Sequence, residues 1–449
     1  MTELTGVARA ETRADSRRRK VDFGLRAAVL LLFFGLLFFS LTKVSVQQPA
    51  FQVGFSEHWR EMIFAPLCLT IVIGSAFVFA NFSFGYFSGF YLFVMMAGFF
   101  WLNTFSLLTY DHRAALISAV ASIILFLLPA LTLRGPGWSF PLSRRVFDRI
   151  PEGILCFAAV ILIVCAFDGF HLVGIEGMAQ YRTALAQTHS RAIEYAIGNL
   201  IGALIPFAFA CFFARRRWLM LAALCAVSLL YYPVTLTKVS LFVAPLLVFI
   251  ALISSRLDAR MTVIISLLVP LVIGFSAVAA MDWVEVSKFR LFVFLVLNFR
   301  LLAIPAISLE HYFAFFSDHS LTGFCQISAL KAIIACPYPD QLGVVFANQY
   351  HLGNMNASLF ATEGVASVGP LFAPIAALAC GFVIALGNKV SAGLPLRFIL
   401  ISAAVIPHIL LNLPLSTALL SNGLGLLMLL WYLTPRNYFL VEDQKIRKI

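Results

Sequence analysis

Long runs of apolar residues recur along the whole chain and are separated by short polar or basic segments. Most of these runs approach the ~20 residues that an α-helix needs to cross the hydrocarbon core of a bilayer. The pattern therefore predicts an all-α, polytopic membrane protein with about twelve transmembrane helices. The predicted spans cover residues 24–43, 62–81, 86–108, 114–133, 153–168, 193–213, 218–233, 239–254, 262–280, 366–387, 396–412 and 416–434.

One long interruption, residues 281–365, separates the ninth predicted span from the last three. It is rich in Phe and Leu but also carries charged residues, which is typical of amphipathic or re-entrant helices near a membrane surface. The apolar run between Arg290 and Arg300 is too short to cross, so we expect the whole interruption to lie on the outer side. The predicted regions are a basic tail (1–23), nine spans (24–280), the outer segment (281–365), three spans (366–434) and a second tail (435–449).

Composition agrees with a bilayer environment, since 61% of the residues are hydrophobic and 12% are charged. The net charge of +11 comes from basic clusters that all fall on one side of a twelve-span protein. By the positive-inside rule both termini are cytoplasmic and the interruption is periplasmic, so the basicity does not indicate nucleic-acid binding. The first run is long enough to span and lacks a cleavage site, so we expect it to be retained. The clusters are Arg13, Arg17, Arg18, Arg19 and Lys20; Arg134, Arg144, Arg145 and Arg149; Arg215, Arg216 and Arg217; Arg256 and Arg260; Lys389 and Arg397; and Arg436, Lys445, Arg447 and Lys448.

The cysteines divide into two groups by their surroundings. Cys325 and Cys336 lie in the outer segment, where an oxidising compartment would allow a disulfide between them, and the sequence leaves this open. The other six lie in or beside apolar spans and are expected to act as small buried hydrophobes. No CxxC pair, HExxH, P-loop or GxGxxG context occurs, so the sequence predicts no metal, nucleotide or other cofactor.

A shorter polar segment, residues 171–199, precedes the sixth predicted span and carries Arg182, Arg191 and Glu194. Helical spacing places Gln187, Arg191 and Glu194 on one face, which predicts a short interfacial helix that leads into the membrane. Anchoring of the arginines to lipid headgroups is the plainer interpretation of this segment.

At the end of the interruption, a Gly- and Asn-rich stretch passes directly into the tenth predicted span. Glu363 lies in the opening turns of this helix, and exposed helix N-termini attract anions. Gly364 and Gly369 allow a close approach of the backbone. The residues suited to cap the start of the helix are Asn354, Asn356 and Ser358.

At these segments the chain resembles the O-antigen and exopolysaccharide repeat-unit polymerases, the Wzy-like family of bacterial inner-membrane proteins. The resemblance covers a minor part of the chain and rests on topology more than on a fixed motif. The stretches that carry it are NFRLLAIPAISLEHYFAFF, GNMNASLFATEGVASVGP, YYPVTLTKVSLFVAPLL and STALLSNGLGLLMLL.

The resemblance implies a metal-independent glycosyltransferase that acts on undecaprenyl-diphosphate-linked oligosaccharides at the periplasmic face. The growing glycan is transferred onto a new lipid-linked repeat unit, and undecaprenyl diphosphate leaves. A flippase and a chain-length regulator are the implied protein partners.

This chemistry needs cations for the departing diphosphate and a general base for the acceptor hydroxyl. Arginine binds two phosphate oxygens at once and stays protonated, whereas lysine acts as a point charge. The candidate cations are Arg300, Arg290, Arg182, Arg191 and Lys238. The candidate bases are His311, Glu310 and Glu363.

Three other interpretations stay open. An O-antigen ligase has the same bundle and lipid donor, but it usually carries a His-Asn pair where this chain has Gly353 and Asn354. A transporter or flippase for lipid-linked sugars predicts interrupted or charged helices at mid-bilayer and an internal repeat, whereas the predicted spans contain few ionisable residues, His408 being one. A scaffold for envelope assembly would leave the outer arginines without a role.

Overall fold

The computed structural model describes residues 23–44, 52–54, 59–135, 137–171, 173, 190–278, 287–327, 330, 333–352, 355 and 357–439. Within these residues the fold is all-helical, with 78% helix and no strand. Ten of the described helices are long and apolar enough to cross a membrane. The fold therefore has the architecture of a multi-pass membrane protein.

Seventeen helices are used in the description that follows, and several of the longer ones include short irregular turns. In chain order they are α1 (Phe23–Val44), α2 (Arg60–Phe79), α3 (Phe84–Phe105), α4 (His112–Thr132), α5 (Arg144–Phe167), α6 (Arg191–Ala214), α7 (Trp218–Thr235), α8 (Lys238–Ser254), α9 (Ala259–Ser276), α10 (Lys288–Asp318), α11 (Leu342–Tyr350), α12 (Phe360–Ala366), α13 (Ser367–Ser391), α14 (Leu396–Ser402), α15 (Ile406–Asn412), α16 (Leu415–Leu420) and α17 (Leu424–Leu433).

The first nine helices coincide with the first nine predicted spans, and the differences lie later in the chain. The outer segment was expected to contain amphipathic or re-entrant helices, and it begins with α10, one continuous helix of 31 residues, about 46 Å long. Its apolar run continues beyond Arg300, so length alone would allow it to cross a membrane. The last two predicted spans are each interrupted, at residues 403–405 and 421–423.

Hydroxyl and carboxylate side chains fix where several helices begin. Asp111 accepts from the backbone N–H of Ala114 at 2.9 Å at the start of α4, and Thr237 caps α8 in the same way. Ser190 caps α6, whose first residue is Arg191. Arg191 and Glu194 therefore belong to the first turn of a 24-residue helix and not to a separate interfacial helix as predicted.

The chain forms two compact units, and the first comprises Met1–Asn81, Phe93–Leu108 and Val263–Ile307. Asn298 of α10 connects helices within this unit, since its Nδ2 donates to Ser40 Oγ at 2.8 Å and to the Leu271 carbonyl at 3.1 Å. Gly274 leaves the room for it, because a Cβ there would stand 1.7 Å from Asn298 Oδ1. A single buried amide thus connects α1, α9 and α10.

The second unit comprises Phe82–Leu92, Thr109–Thr262 and Ser308–Ile449. Its most extensive packing joins α4 to α13. Asn388 closes one end of this pair: its Oδ1 accepts from the Gly85 N–H at 2.7 Å, and its Nδ2 donates to the Ala130 carbonyl at 2.8 Å. A Cβ at Gly85 would stand 2.1 Å from the Ala130 oxygen, so only glycine allows this approach.

Several basic residues of the second unit lie together at one end of its helices. The turn Arg436–Phe439 contacts three helix ends there. Its arginine donates to the Val390 carbonyl at 2.7 Å, its tyrosine lies 4.0 Å from the Arg215 guanidinium, and its phenylalanine packs on Phe398 with ring centroids 4.8 Å apart. Arg215 also forms an ion pair with Asp148. We call this region the basic end.

We predict that Asn388→Ala lowers the stability of the folded protein, because Ala removes the hydrogen bonds that connect α3, α4 and α13. Buried hydrogen bonds in membrane proteins contribute about 0.6 kcal/mol each, so the expected loss is about 1–2 kcal/mol. The apparent melting temperature in one detergent measures it. Asn199→Ala is the matched control, since Asn199 bonds only to the Tyr195 carbonyl of its own helix. Equal melting temperatures for both variants would contradict the role of Asn388.

Candidate functional site

The chain reverses its direction between α12 and α13. Gly369 has φ 76° and ψ 168°, which lies outside the helical region, and Pro370 follows it. A Cβ at Gly364 would stand 3.3 Å from the Cβ of Ala373, nine positions later. Nine residues of a straight helix would separate them by about 13.5 Å along the axis. The two helices therefore form a hairpin, and the sequence prediction of one helix entering the membrane here was wrong.

Aromatic packing shows how far α12 extends along its partner. The rings of Phe360 and Phe126 are 5.4 Å apart. Gly381 faces the same part of α4, because a Cβ there would stand 2.5 Å from the Phe126 carbonyl oxygen. The start of α12 is thus level with the middle of α13, and its end lies at the turn. Every residue of α12 is buried.

Glu363 is a carboxylate of this hairpin and is only 7% exposed. Its Oε1 accepts from the backbone N–H of Ser416 at 3.0 Å and from the Ser416 hydroxyl at 3.1 Å. Its Oε2 accepts from the Thr362 hydroxyl at 2.6 Å. Ser416 lies in the first turn of α16, so Glu363 satisfies one of the N–H groups that a helix start leaves open.

The partners of Glu363 are hydroxyl and amide groups of the described residues and not a cation. A carboxylate without a cation partner in an apolar bundle is costly, so such groups usually serve a function. The Ser358 hydroxyl, at the start of the same helical segment, is fully buried and forms no hydrogen bond with another described residue. It therefore does not act as the cap that the sequence suggested.

Glu310 and His311, the other two candidate bases, are consecutive residues of α10 and are 0% and 1% exposed. The His311 ring meets Tyr350 of α11 edge-on, with centroids 4.8 Å apart. Burial, and then the negative charge of Asp318, raise the pKa of Tyr350, so its phenol remains a hydrogen-bond donor at neutral pH. His311 is thus enclosed by aromatic packing under α11.

The next residue, Tyr312, contacts α11. Its ring stacks on that of Phe346, with ring centroids 4.2 Å apart. Its phenol is close enough to Glu363 to be influenced by the carboxylate charge. All three predicted bases therefore lie in the second unit, and the α10 pair lies next to α11.

The candidate cations are distributed over both units. Arg290 and Arg300 are exposed residues of the part of α10 that belongs to the first unit. Arg191 is exposed at the start of α6, and Lys238 is half-buried at the start of α8, both in the second unit. Arg182, Asn354 and Asn356 lie outside the described residues.

Residues of the outer segment hold the hairpin turn. Thr322 donates its N–H to the Ala366 carbonyl at 2.8 Å, and Gly323 donates to the Ser367 carbonyl at 3.1 Å. Gln326 Nε2 donates to the Thr362 carbonyl at 3.0 Å. We call Thr322–Gln326 the clasp. Next to Gln326, Cys325 is disulfide-bonded to Cys336, which resolves the pairing that the sequence left open.

Sequence reasoning missed the polar partners of Glu363 and the clasp. Ser416, Thr362 and Thr322 carry no signal of their own, because serine and threonine are common in membrane helices and loops. The Gly369-Pro370 pair was a readable signal, since glycine followed by proline ends one helix and begins another.

Fold and site together define a multi-pass α-helical membrane protein with a buried carboxylate on a helical hairpin. Within the described ranges, no three His, Cys, Asp or Glu side chains are grouped to hold a metal ion. No protein family, no curated protein and no solved structure matches this chain. The argument for function therefore depends on the site itself.

We predict that Glu363→Gln folds nearly as stably as the unmodified chain, whereas Glu363→Leu does not. Glutamine keeps an oxygen for Ser416 and gains an amide that donates to the Thr362 hydroxyl. Leucine leaves the half-buried N–H and hydroxyl of Ser416 without this acceptor, at a cost of about 1–3 kcal/mol for each group, whereas the Thr362 hydroxyl keeps the Ser358 carbonyl. Melting temperatures of both variants in one detergent test this, and equal values would show that the hydrogen bonds do not stabilise the hairpin.

Proposed function

We propose that this protein is a polymerase of undecaprenyl-diphosphate-linked oligosaccharide repeat units in surface polysaccharide biosynthesis. The observation that carries the proposal is the buried Glu363 carboxylate, which two hydroxyls and one amide orient on the hairpin that the clasp contacts. A general base needs a fixed orientation next to the hydroxyl that it deprotonates. The family resemblance supplies the substrate class.

In this proposal Glu363 is the first candidate for the base, with His311 and Glu310 as the other two. The Arg300, Arg290, Arg182, Arg191 and Lys238 side chains are the candidates to neutralise the leaving diphosphate. The exposure of Arg191, Arg290 and Arg300 suits contact with a headgroup at a membrane surface. No metal or soluble cofactor has a part in this mechanism.

We further propose a bacterial inner-membrane location, with the basic end cytoplasmic and the clasp periplasmic. Thr322, just after α10, bonds to Ala366 at the hairpin turn, which is the opposite end of α13 from Asn388. The proposal keeps α10 on the outer side, with twelve crossings and cytoplasmic termini.

A second candidate function is transport of a lipid-linked sugar. Two observations favour it: the α12–α13 hairpin and the interruptions in the last two predicted spans, at residues 403–405 and 421–423. Interrupted helices often form substrate sites in transporters. Polymerase and transporter differ in which lipid-linked species accumulates, so one assay separates them.

We predict that cells without this protein make single repeat units at the surface but no long chains. The wild-type gene restores long chains, whereas Glu363→Gln at equal protein level reduces extension by about 10²–10⁴-fold, the usual contribution of a general base. Arg300→Ala reduces extension as well, and the exposed Glu194→Gln is the matched control. Gel profiles of the surface polysaccharide provide the readout. Unchanged profiles in the deletion strain would refute the polymerase, and trapping of repeat units on the cytoplasmic side would favour the transporter.

The proposed topology predicts opposite labelling of two cysteines introduced at exposed sites. In a background without the six thiol cysteines, Ser320→Cys near the clasp should react with an impermeant maleimide in intact spheroplasts. Ser143→Cys near the basic end should react only after permeabilisation. Labelling of both from the same side would overturn the topology.

A further inference from the structure

We propose that Thr322 and Gln326 are positioning residues for Glu363, and that the Cys325–Cys336 disulfide makes their hold on the hairpin sensitive to reduction by a dithiol. The role of Glu363 in this statement rests on the proposed function. The effect of the clasp and of the disulfide on the hairpin rests on the contacts of the clasp alone.

At the hairpin turn, backbone carbonyls at the end of α12 need hydrogen-bond donors that α12 and α13 do not supply. Ala366 would bond to the N–H four residues later in an α-helix, but that residue is Pro370, which has none. Thr322 supplies both its N–H, at 2.8 Å, and its hydroxyl, at 3.1 Å, to the Ala366 carbonyl. Gly323 donates its N–H to the Ser367 carbonyl at 3.1 Å. The end of α12 is therefore completed by residues more than forty positions earlier in the chain.

Gln326 extends this hold to the residue beside Glu363. Its amide donates to the Thr362 carbonyl and to the Ser367 hydroxyl, both at 3.0 Å. The hydroxyl of the same Thr362 donates to Glu363 Oε2. A displacement of Gln326 therefore moves the residue that orients the carboxylate, although Gln326 itself does not contact Glu363.

The disulfide fixes the clasp at the position next to Gln326. Cys325 is fully buried, and its bond to Cys336 closes a segment of the outer chain, with Cα atoms 5.2 Å apart. A dithiol transfers two electrons and two protons to this bond, so that Cys325 and Cys336 become thiols and the dithiol forms its own disulfide. The clasp then loses a covalent constraint and keeps its hydrogen bonds to the hairpin.

Hydrogen–deuterium exchange of the full-length protein in one detergent, with and without dithiothreitol, tests the proposal. Reduction is expected to speed amide exchange in residues 357–368 by about tenfold or more, with no change in residues 205–214 of α6. In the oxidised protein, Gln326→Ala should have the same local effect. Gln341→Ala is the matched control, because Gln341 is an exposed amide of the same segment that caps nothing.

Unchanged exchange in residues 357–368, both after reduction and in Gln326→Ala, would overturn the proposal. If reduction speeds exchange everywhere, the oxidised Gln326→Ala protein decides. Thr322→Val should raise local exchange and Thr322→Ser should restore it, because only serine keeps the hydroxyl.

The polysaccharide assay then separates the two proposals. Gln326→Ala and Thr322→Val should shorten the chains, whereas Thr322→Ser and Gln341→Ala should not. If the deletion strain keeps its polysaccharide while exchange responds as expected, the polymerase is refuted and the clasp stands. If Glu363→Gln abolishes extension while exchange does not respond, the clasp is refuted and the polymerase stands.

Discussion

Satisfaction of backbone carbonyls in an apolar environment is the constraint on which the site depends. A helix that stops inside an apolar bundle exposes carbonyls that neither lipid nor hydrocarbon side chains can satisfy. At the hairpin turn this need is met by the clasp and by Ser118, whose hydroxyl donates to the Pro370 carbonyl at 2.6 Å. Because these donors come from distant parts of the chain, the reversal is a tertiary feature, and the location of Glu363 follows from it.

The second unit holds its buried acids apart from its basic end. Several of its cations lie at the basic end, where an ion pair and ring contacts join helix ends. Its buried acids lie elsewhere: Glu363 is held by hydroxyls and an amide, and Glu310 lies on α10 beside His311. Glu363 is thus held by neutral hydrogen-bond donors and not by the cations of the basic end.

Most helix positions could be predicted from the sequence, but little of the site could be. Long apolar runs predicted the first nine helices, because length and hydropathy suffice to identify a membrane helix. The same rule treats the residues before and after Gly369 as one run, since a reversal changes neither hydropathy nor composition. The depth of Glu363 and its bond to Ser416 depend on contacts across more than fifty residues, which a local pattern does not contain. The candidate arginines could be identified from the sequence by their charge. Which of the two units each described arginine belongs to is known only from the fold.

The Arg436–Phe439 turn has a consequence for biogenesis. It joins the ends of α6, α13 and α14, yet it is synthesised after every helix of the bundle. Chains emerge from the ribosome N-terminus first, so the earlier helices enter the membrane before this junction exists. Their insertion must therefore proceed without this junction. The basic end therefore closes late, when a nascent, loosely associated set of helices is converted into one assembled unit.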